Sequence, residues 1–176
     1  MTTPALTDCV VPVLRSAQAC LMAELPAVLA ILAAGFPDLT LPAPVSYWRS
    51  EGIPSDWDSP GVGIFDVGSE FIEADALSAF QVSHDITARI IIDAEQSSAD
   101  DLSAYDDGLR LYSWAVCYSL QRYLADPAYA GAVGVWRCVP ISSTPAPYPE
   151  LYERSQFLRF VDISIQVDQR QRRLIP

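Results

Sequence analysis

The chain has 176 residues, 51% of them hydrophobic and 19% charged, so it can bury a sizeable core and does not have the composition of a disordered protein. Its 22 acidic and 11 basic residues give a net charge of −11, which argues against a protein that grips nucleic acid through phosphate contacts. The charge is instead compatible with a surface to which DNA does not adhere.

Cysteine and histidine usage argues against a metal site. The cysteines at positions 9, 20, 117 and 138 form no CxxC pair, and the chain has one histidine. We therefore expect no metal or cofactor, and four reduced thiols in an apolar core. The N-terminus has no signal-peptide pattern, and the longest uncharged run, 25–37, is short for a membrane span of about 20 residues, so we expect no membrane partner.

The N-terminal part of the chain predicts a helix and then an irregular segment. Apolar residues recur at steps of three and four over 5–35, and Gly35 and Pro37 end the pattern. Pro26 should kink this helix or begin a second one, because proline has no N–H and clashes with the preceding turn. The proline-rich residues 36–60 predict an ordered loop or extended arm.

Two strands are predicted next. The apolar run GVGIFDV, 61–67, predicts a short buried strand, and a polar loop with Glu70, Glu73 and Asp75 should follow it. Residues 79–93 alternate between apolar and polar side chains, which predicts a strand nearly three times the mean length of about 5–6 residues. A strand of that length is expected to bend or to project beyond its own sheet.

The C-terminal half predicts a helix and two more strands. Residues 98–125 carry the clearest helical pattern, with acidic residues in the first turn and Pro127 after the end. Residues 134–139 and 157–168 predict strands, separated by a second proline-rich loop at 140–156.

The order of these elements predicts an α+β fold. We expect a single domain over 1–176, built on one small, mostly antiparallel sheet of about four strands. The N-terminal helix and the long central helix should pack on one face of that sheet.

His84 is followed directly by Asp85, which raises the possibility of a catalytic pair. Adjacent residues in a strand point to opposite faces, so the two side chains cannot form a hydrogen-bonded dyad without a bulge. His84 shares its face with apolar residues, which favours a packed or interfacial histidine over a catalytic one.

Other catalytic patterns are weak. The chain has no GxSxG sequence, and the glycines of 61–68 do not have the spacing that cradles phosphates. The acidic residues of the central helix are the remaining candidates, since Asp100 and Asp107 lie two turns apart on nearly one face and could bind a divalent cation. A metal-dependent hydrolase is therefore an alternative, although acids at a helix start are equally typical of a solvated face.

Aromatic residues in and beside the proline-rich segments suggest a contact surface. They either fold back on the core of the subunit or dock onto neighbouring subunits, where aromatic residues are enriched. A binding module that uses these loops for a peptide is a further alternative. The candidate interface residues are Trp48, Trp57, Phe80, His84, Trp136, Tyr148, Tyr152 and, in the basic tail, Arg170.

The element order as a whole resembles the tail terminator and neck proteins of long-tailed bacteriophages, a family that includes gene-transfer and tailocin particles. The resemblance covers about residues 5–170 and lies in the succession GVGIFDV, HDITARIIID, SLQRYLADP and RFVDISIQVDQR rather than in one diagnostic motif. The family implies a small α+β fold, no catalytic residues and a location in the virion neck after assembly in the host cytoplasm.

The resemblance also implies a mechanism of assembly. Family members form a hexameric ring that caps the completed tail tube, ends its polymerisation and joins it to the head–tail connector. The expected partners are other copies of the chain, the tail tube protein and the connector, while genomic DNA passes through the lumen without specific binding. The adjacent head-completion or neck protein of the same particle is the closest alternative. A long unpaired strand and exposed aromatic residues are expected to favour closure of the ring.

Overall fold

A computed structural model describes residues 10–39, 41–75, 79–93, 102–145 and 158–172. Two long helices and five strands make up most of this part of the chain. They are α1 (Val10–Gly35), β1 (Ser46–Trp48), β2 (Gly61–Asp75), β3 (Ala79–Asp93), α2 (Leu102–Ala125), a 3-10 turn (Gly131–Val133), β4 (Val135–Pro145) and β5 (Leu158–Arg172).

The five strands form one sheet in the order β1-β2-β3-β5-β4. β1 runs parallel to β2, and every other neighbouring pair is antiparallel. The predicted α+β class and mostly antiparallel sheet are confirmed, with five strands where about four were expected. The additional strand, β1, lies inside the proline-rich segment 36–60. It has only three residues, which is too short for an alternating pattern to be recognised in the sequence.

The long strand over 79–93 is confirmed, but its predicted position in the sheet is wrong. β3 lies at the centre and pairs with β5 from Ala79 to Asp93, and with β2 along its other edge. It therefore has no unpaired stretch that could favour assembly. The strands on both sides also have 15 residues, so β3 does not project beyond the sheet.

Three other strand boundaries differ from the prediction. β2 continues through the expected acidic loop to Asp75, and two bulges, at Asp66/Gly68 and Phe71/Glu73, break the alternation that would have revealed it. β4 extends into the expected 140–156 loop as far as Pro145, and β5 extends into the basic tail as far as Arg172.

Helix α1 runs through Pro26 as one element, so the predicted alternative of a second helix beginning there is wrong. The cost of the missing N–H is met by packing, since Leu25, Val28 and Leu29 on either side of the proline are buried in the core. By length and composition alone α1 could also cross a membrane: its most apolar window has a mean hydropathy of 1.8, and 33% of that window is buried.

Both helices pack on one face of the sheet. Their buried sides meet the inward side chains of β2, β3, β4 and β5 in one large apolar cluster, in which Tyr112 and Tyr123 are fully buried. The Tyr112 hydroxyl donates a hydrogen bond to the carbonyl oxygen of Pro42, which attaches the segment after α1 to α2. A smaller apolar cluster lies on the opposite, helix-free face.

Candidate assembly surfaces

His84 is held by hydrogen bonds inside the subunit. Its side chain is 1% exposed; Nδ1 lies 2.7 Å from the Ser69 hydroxyl and Nε2 lies 3.0 Å from Gln169 Oε1. Gln169 Nε2 donates to the Val133 carbonyl, so its Oε1 is an acceptor and His84 Nε2 must carry the proton. Asp85 is exposed on the other face, as strand geometry predicts. The side chain of His84, on β3, is therefore linked by hydrogen bonds to β2 and β5.

Trp48 and Trp57 form a cap over the start of β2. Trp48 is 7% exposed and lies against Gly61 and Gly63, and its ring centroid is 6.4 Å from that of Trp57. A Cβ built at Gly63 would be 2.6 Å from Trp48 Nε1, so the glycines of GVG make room for an indole ring. Both tryptophans are largely occupied with contacts of their own subunit.

Arg89 fixes the loop before β2 onto the helix-free face. Its guanidinium makes two 2.8 Å hydrogen bonds to the carboxylate of Asp162 and a third, of 2.9 Å, to the Glu51 carbonyl oxygen. It also lies 5.0 Å from the centre of the Phe65 ring and is only 3% exposed. This bidentate pair was not anticipated, because the alternation of β3 shows Arg89 merely as one of its polar positions.

The rest of the helix-free face is polar and acidic. Ile86 and Ala88 belong to the core under the helices, so Asp85, the neighbour of Ile86 along β3, points to the helix-free face. Gln166 is the cross-strand partner of Asp85 and lies on the same face. Glu70 and Asp85 are exposed there. The buried Asp168 on this face pairs with Arg137 at 3.0 Å, and its second carboxylate oxygen has no hydrogen-bond partner within the described residues.

The largest exposed apolar side chains of the helices lie on their outer side, away from the sheet. Trp114 and Tyr118, 52% and 43% exposed, stack on α2 with ring centroids 5.2 Å apart and an angle of 11° between the rings. On α1 the exposed residues are Val11, Met22 and Ile31. We call this outer side of α1 and α2 the helix layer. Trp114 and Tyr118 could have been found from sequence as the aromatics that fall off the core stripe of 98–125.

Of the predicted interface residues, Trp136 and Arg170 are exposed. Trp136, at a bulge of β4, is 52% exposed, and Ile141 further along the strand is 61% exposed. Arg170 is exposed near the end of β5, and its backbone N–H donates to the Gly134 carbonyl. Tyr148, Tyr152 and the side chain of Phe80 lie outside the described residues.

Both outer edges of the sheet carry features that resist strand addition. β4 contains Pro140 and Pro145 and is interrupted by two bulges. β2 is covered by β1 only at 61–63, and its open part has two bulges and the acidic residues Asp66 and Glu70. Prolines, bulges and charges are the devices that protect edge strands from pairing. Contacts between subunits are therefore expected to use side chains rather than an extended sheet.

The acidic residues of the central helix gain no support as a metal site. Asp107 is exposed and lies 3.5 Å from Arg110, one turn along the helix, while Asp100 falls outside the described residues. Across the segments that the structure describes, there is no group of three or more His, Cys, Asp or Glu side chains that could hold a metal ion.

Three cysteines are free thiols in or beside the core. Burial raises the pKa of Cys20 to about 12, with a further contribution from the Glu24 carboxylate, and burial raises the pKa of Cys138 to about 12. At pH 8 the reactive thiolate is then about one part in ten thousand. We expect iodoacetamide to leave both thiols unmodified in the folded protein and to modify them fully in denaturant, as checked by peptide mass spectrometry. Rapid modification of Cys138 without denaturant would contradict its placement in the core.

Comparison with known proteins gives one result of note. No protein-family model matches the chain, and no curated protein matches it. Among solved structures, the chain is similar to a chain in the virion of a native gene transfer agent particle. The two are 14% identical, the match covers 96% of this chain and 100% of that one, and the TM-score is 0.43.

Proposed function

We propose that the protein is a structural virion protein of a phage neck, and specifically the tail terminator. It forms a ring of six subunits that caps the tail tube, ends its polymerisation and joins it to the head–tail connector. The observation that carries the proposal is the difference between a polar sheet face with exposed acids and a helix layer with large exposed apolar side chains. The sequence resemblance supplies the family, and this difference supplies a physical reason for the role.

The helix-free face suits the wall of a channel for DNA. Its exposed acids, Glu70 and Asp85, repel phosphates. Of the cations on this face, Arg89 pairs with Asp162 and Arg137 pairs with Asp168, while Arg170 is exposed near the end of β5. A wall with few exposed cations offers DNA few phosphate contacts, which is compatible with passage without specific binding.

The exposed apolar residues suit the protein contacts of such a particle. Tryptophan, tyrosine and methionine are enriched at the centres of protein interfaces, and the helix layer presents Trp114, Tyr118 and Met22. A ring needs a contact that joins two different surfaces of neighbouring copies, and Trp136 on β4 offers a second surface. The tail tube and the connector are the other proposed partners, in the neck of the virion after assembly in the host cytoplasm.

The neighbouring head-completion or neck protein of the same particle is the alternative within this class, because an acidic channel wall and apolar lateral contacts would serve it equally. We propose no catalytic role for either protein. Adding the protein to a growing tail tube distinguishes the two candidate functions, since only a tail terminator stops elongation of the tube.

Light scattering across a concentration series, with negative-stain images of the same samples, tests the ring. We expect particles of six subunits, either alone or on addition of the tail tube protein of the same particle. Tubes that polymerise with the protein present should be shorter and closed at one end. A chain that stays monomeric with tubes, and leaves their length distribution unchanged, would contradict the proposal.

A further inference from the structure

The helix layer combines large exposed apolar side chains with charges that cancel. α1 contains one arginine and one glutamate, and α2 contains two aspartates and two arginines. The two helices thus have no net charge, and the whole −11 of the chain resides in the remaining residues. A copy that docks on the helix layer meets no net charge there, whichever of its own surfaces it uses.

The size of the helix layer also fits a contact between proteins. α1 has 26 residues and α2 has 24, so each is about 36–39 Å long, and two adjacent helices are about 20 Å wide. The resulting face is on the order of 800 Å², which is what one partner contributes to a standard stable interface. Exposed apolar side chains lie near both ends of α1, with Val11 and Ile31 on opposite flanks of its exposed side.

The composition of the layer favours a second copy of the chain over a lipid surface. The exposed side of α1 contains Ala23, Ala27, Ala30 and Ala34, whose small side chains let another protein surface approach closely. Helices that lie on membranes are rich in lysine and arginine on their polar side, whereas α1 and α2 together contain three arginines and no lysine, balanced by three acidic residues. A chain of net charge −11 would also be repelled by anionic headgroups.

We propose that the helix layer is the contact surface between copies of this chain, with Trp114 and Tyr118 as its aromatic anchor. The proposal rests on the proposed function, because it names the contact that builds the ring. It would also hold if the helix layer joined a different number of copies. The stacked rings present a rigid, half-exposed apolar surface of the kind that contributes most of the free energy of binding at interfaces.

The test compares Trp114→Glu with Trp136→Glu by light scattering across a concentration series. The two tryptophans are a matched pair, since each is 52% exposed, but Trp136 lies on β4 outside the helix layer. Circular dichroism and thermal melts first establish that both variants fold. We expect Trp114→Glu to weaken self-association by at least about 30-fold, and Met22→Glu to weaken it in the same direction.

The outcomes are distinct. Loss of self-association with Trp114→Glu alone supports the helix layer as the contact surface. Loss with both tryptophan variants also supports it, and indicates that the helix layer of one copy contacts β4 of the next. Loss with Trp136→Glu alone, or a wild-type chain that stays monomeric throughout, overturns the proposal. So does a monomeric chain that binds phosphatidylglycerol vesicles and loses that binding with Trp114→Glu. Dimers disrupted by Trp114→Glu would support this surface while contradicting the six-subunit ring.

Discussion

Replacing Arg89 with methionine should lower the free energy of unfolding by about 3 kcal/mol, as measured by denaturant unfolding. Methionine preserves much of the apolar stem but removes the guanidinium, which leaves the Asp162 carboxylate, 18% exposed, without its cation. Removing one partner of a buried ion pair costs about 3–5 kcal/mol, because the other charge remains poorly solvated. The Glu51 carbonyl oxygen loses a hydrogen bond in the same change.

Arg110→Met is the matched control for this prediction. Arg110 also faces an aspartate, Asp107, but the two side chains are 81% and 58% exposed and 3.5 Å apart. Exposed pairs of this kind contribute about 0–1 kcal/mol, so the control should unfold almost as the wild type does. Equal effects of the two substitutions would show that Arg89 does not hold the segment before β2 in place.

Replacing Gly63 with alanine should destabilise the protein by about 2 kcal/mol, an unusual cost for a single methyl group. The new Cβ would lie 2.6 to 2.9 Å from three atoms of the Trp48 indole, which is buried and has little room to move. Overpacking a filled site costs about 1–3 kcal/mol, because side chains leave their preferred rotamers or the backbone shifts. Denaturant unfolding gives the change in free energy directly.

Gly68→Ala provides the comparison on the same strand. A Cβ at Gly68 would meet nothing within 4 Å, so the substitution should be neutral or stabilise by a few tenths of a kcal/mol through the unfolded state. If Gly63→Ala proved as harmless as Gly68→Ala, the indole would not be seated on β2 as described.

A strand could be predicted in full only where its alternation of apolar and polar residues is unbroken. β3 keeps its alternation through 15 residues, and its predicted bounds, 79–93, are those of the structure. β2 has the same length, but its two bulges shift side chains between faces, so only its first half looked like a strand. The position of β3 at the centre of the sheet could not be read from its own residues, because pairing partners are set by the fold as a whole.

The surfaces were harder to predict than the fold. Trp48 was singled out by its aromatic type, but its burial depends on Gly61 and Gly63, which face it only once β1 has paired with β2. Trp114 and Tyr118 lie outside the proline-rich segments on which the interface prediction rests, so they are not among its residues. Their exposure follows from the helical period, since the core side of α2 is already filled by residues such as Tyr112 and Leu120.

The placement of β5 between β3 and β4 has a consequence for biosynthesis. β3 pairs with β5, whose residues follow it by 65 or more positions, from Asp93↔Leu158 outward to Ala79↔Arg172. On the ribosome the β2–β3 hairpin, both helices and β4 are therefore made before the strand that joins the two halves of the sheet. Until then the backbone N–H and C=O groups along that edge of β3 have no strand partner, and such nascent chains are prone to aggregate. A chain shortened by its last strand should consequently be found with chaperones or in inclusion bodies.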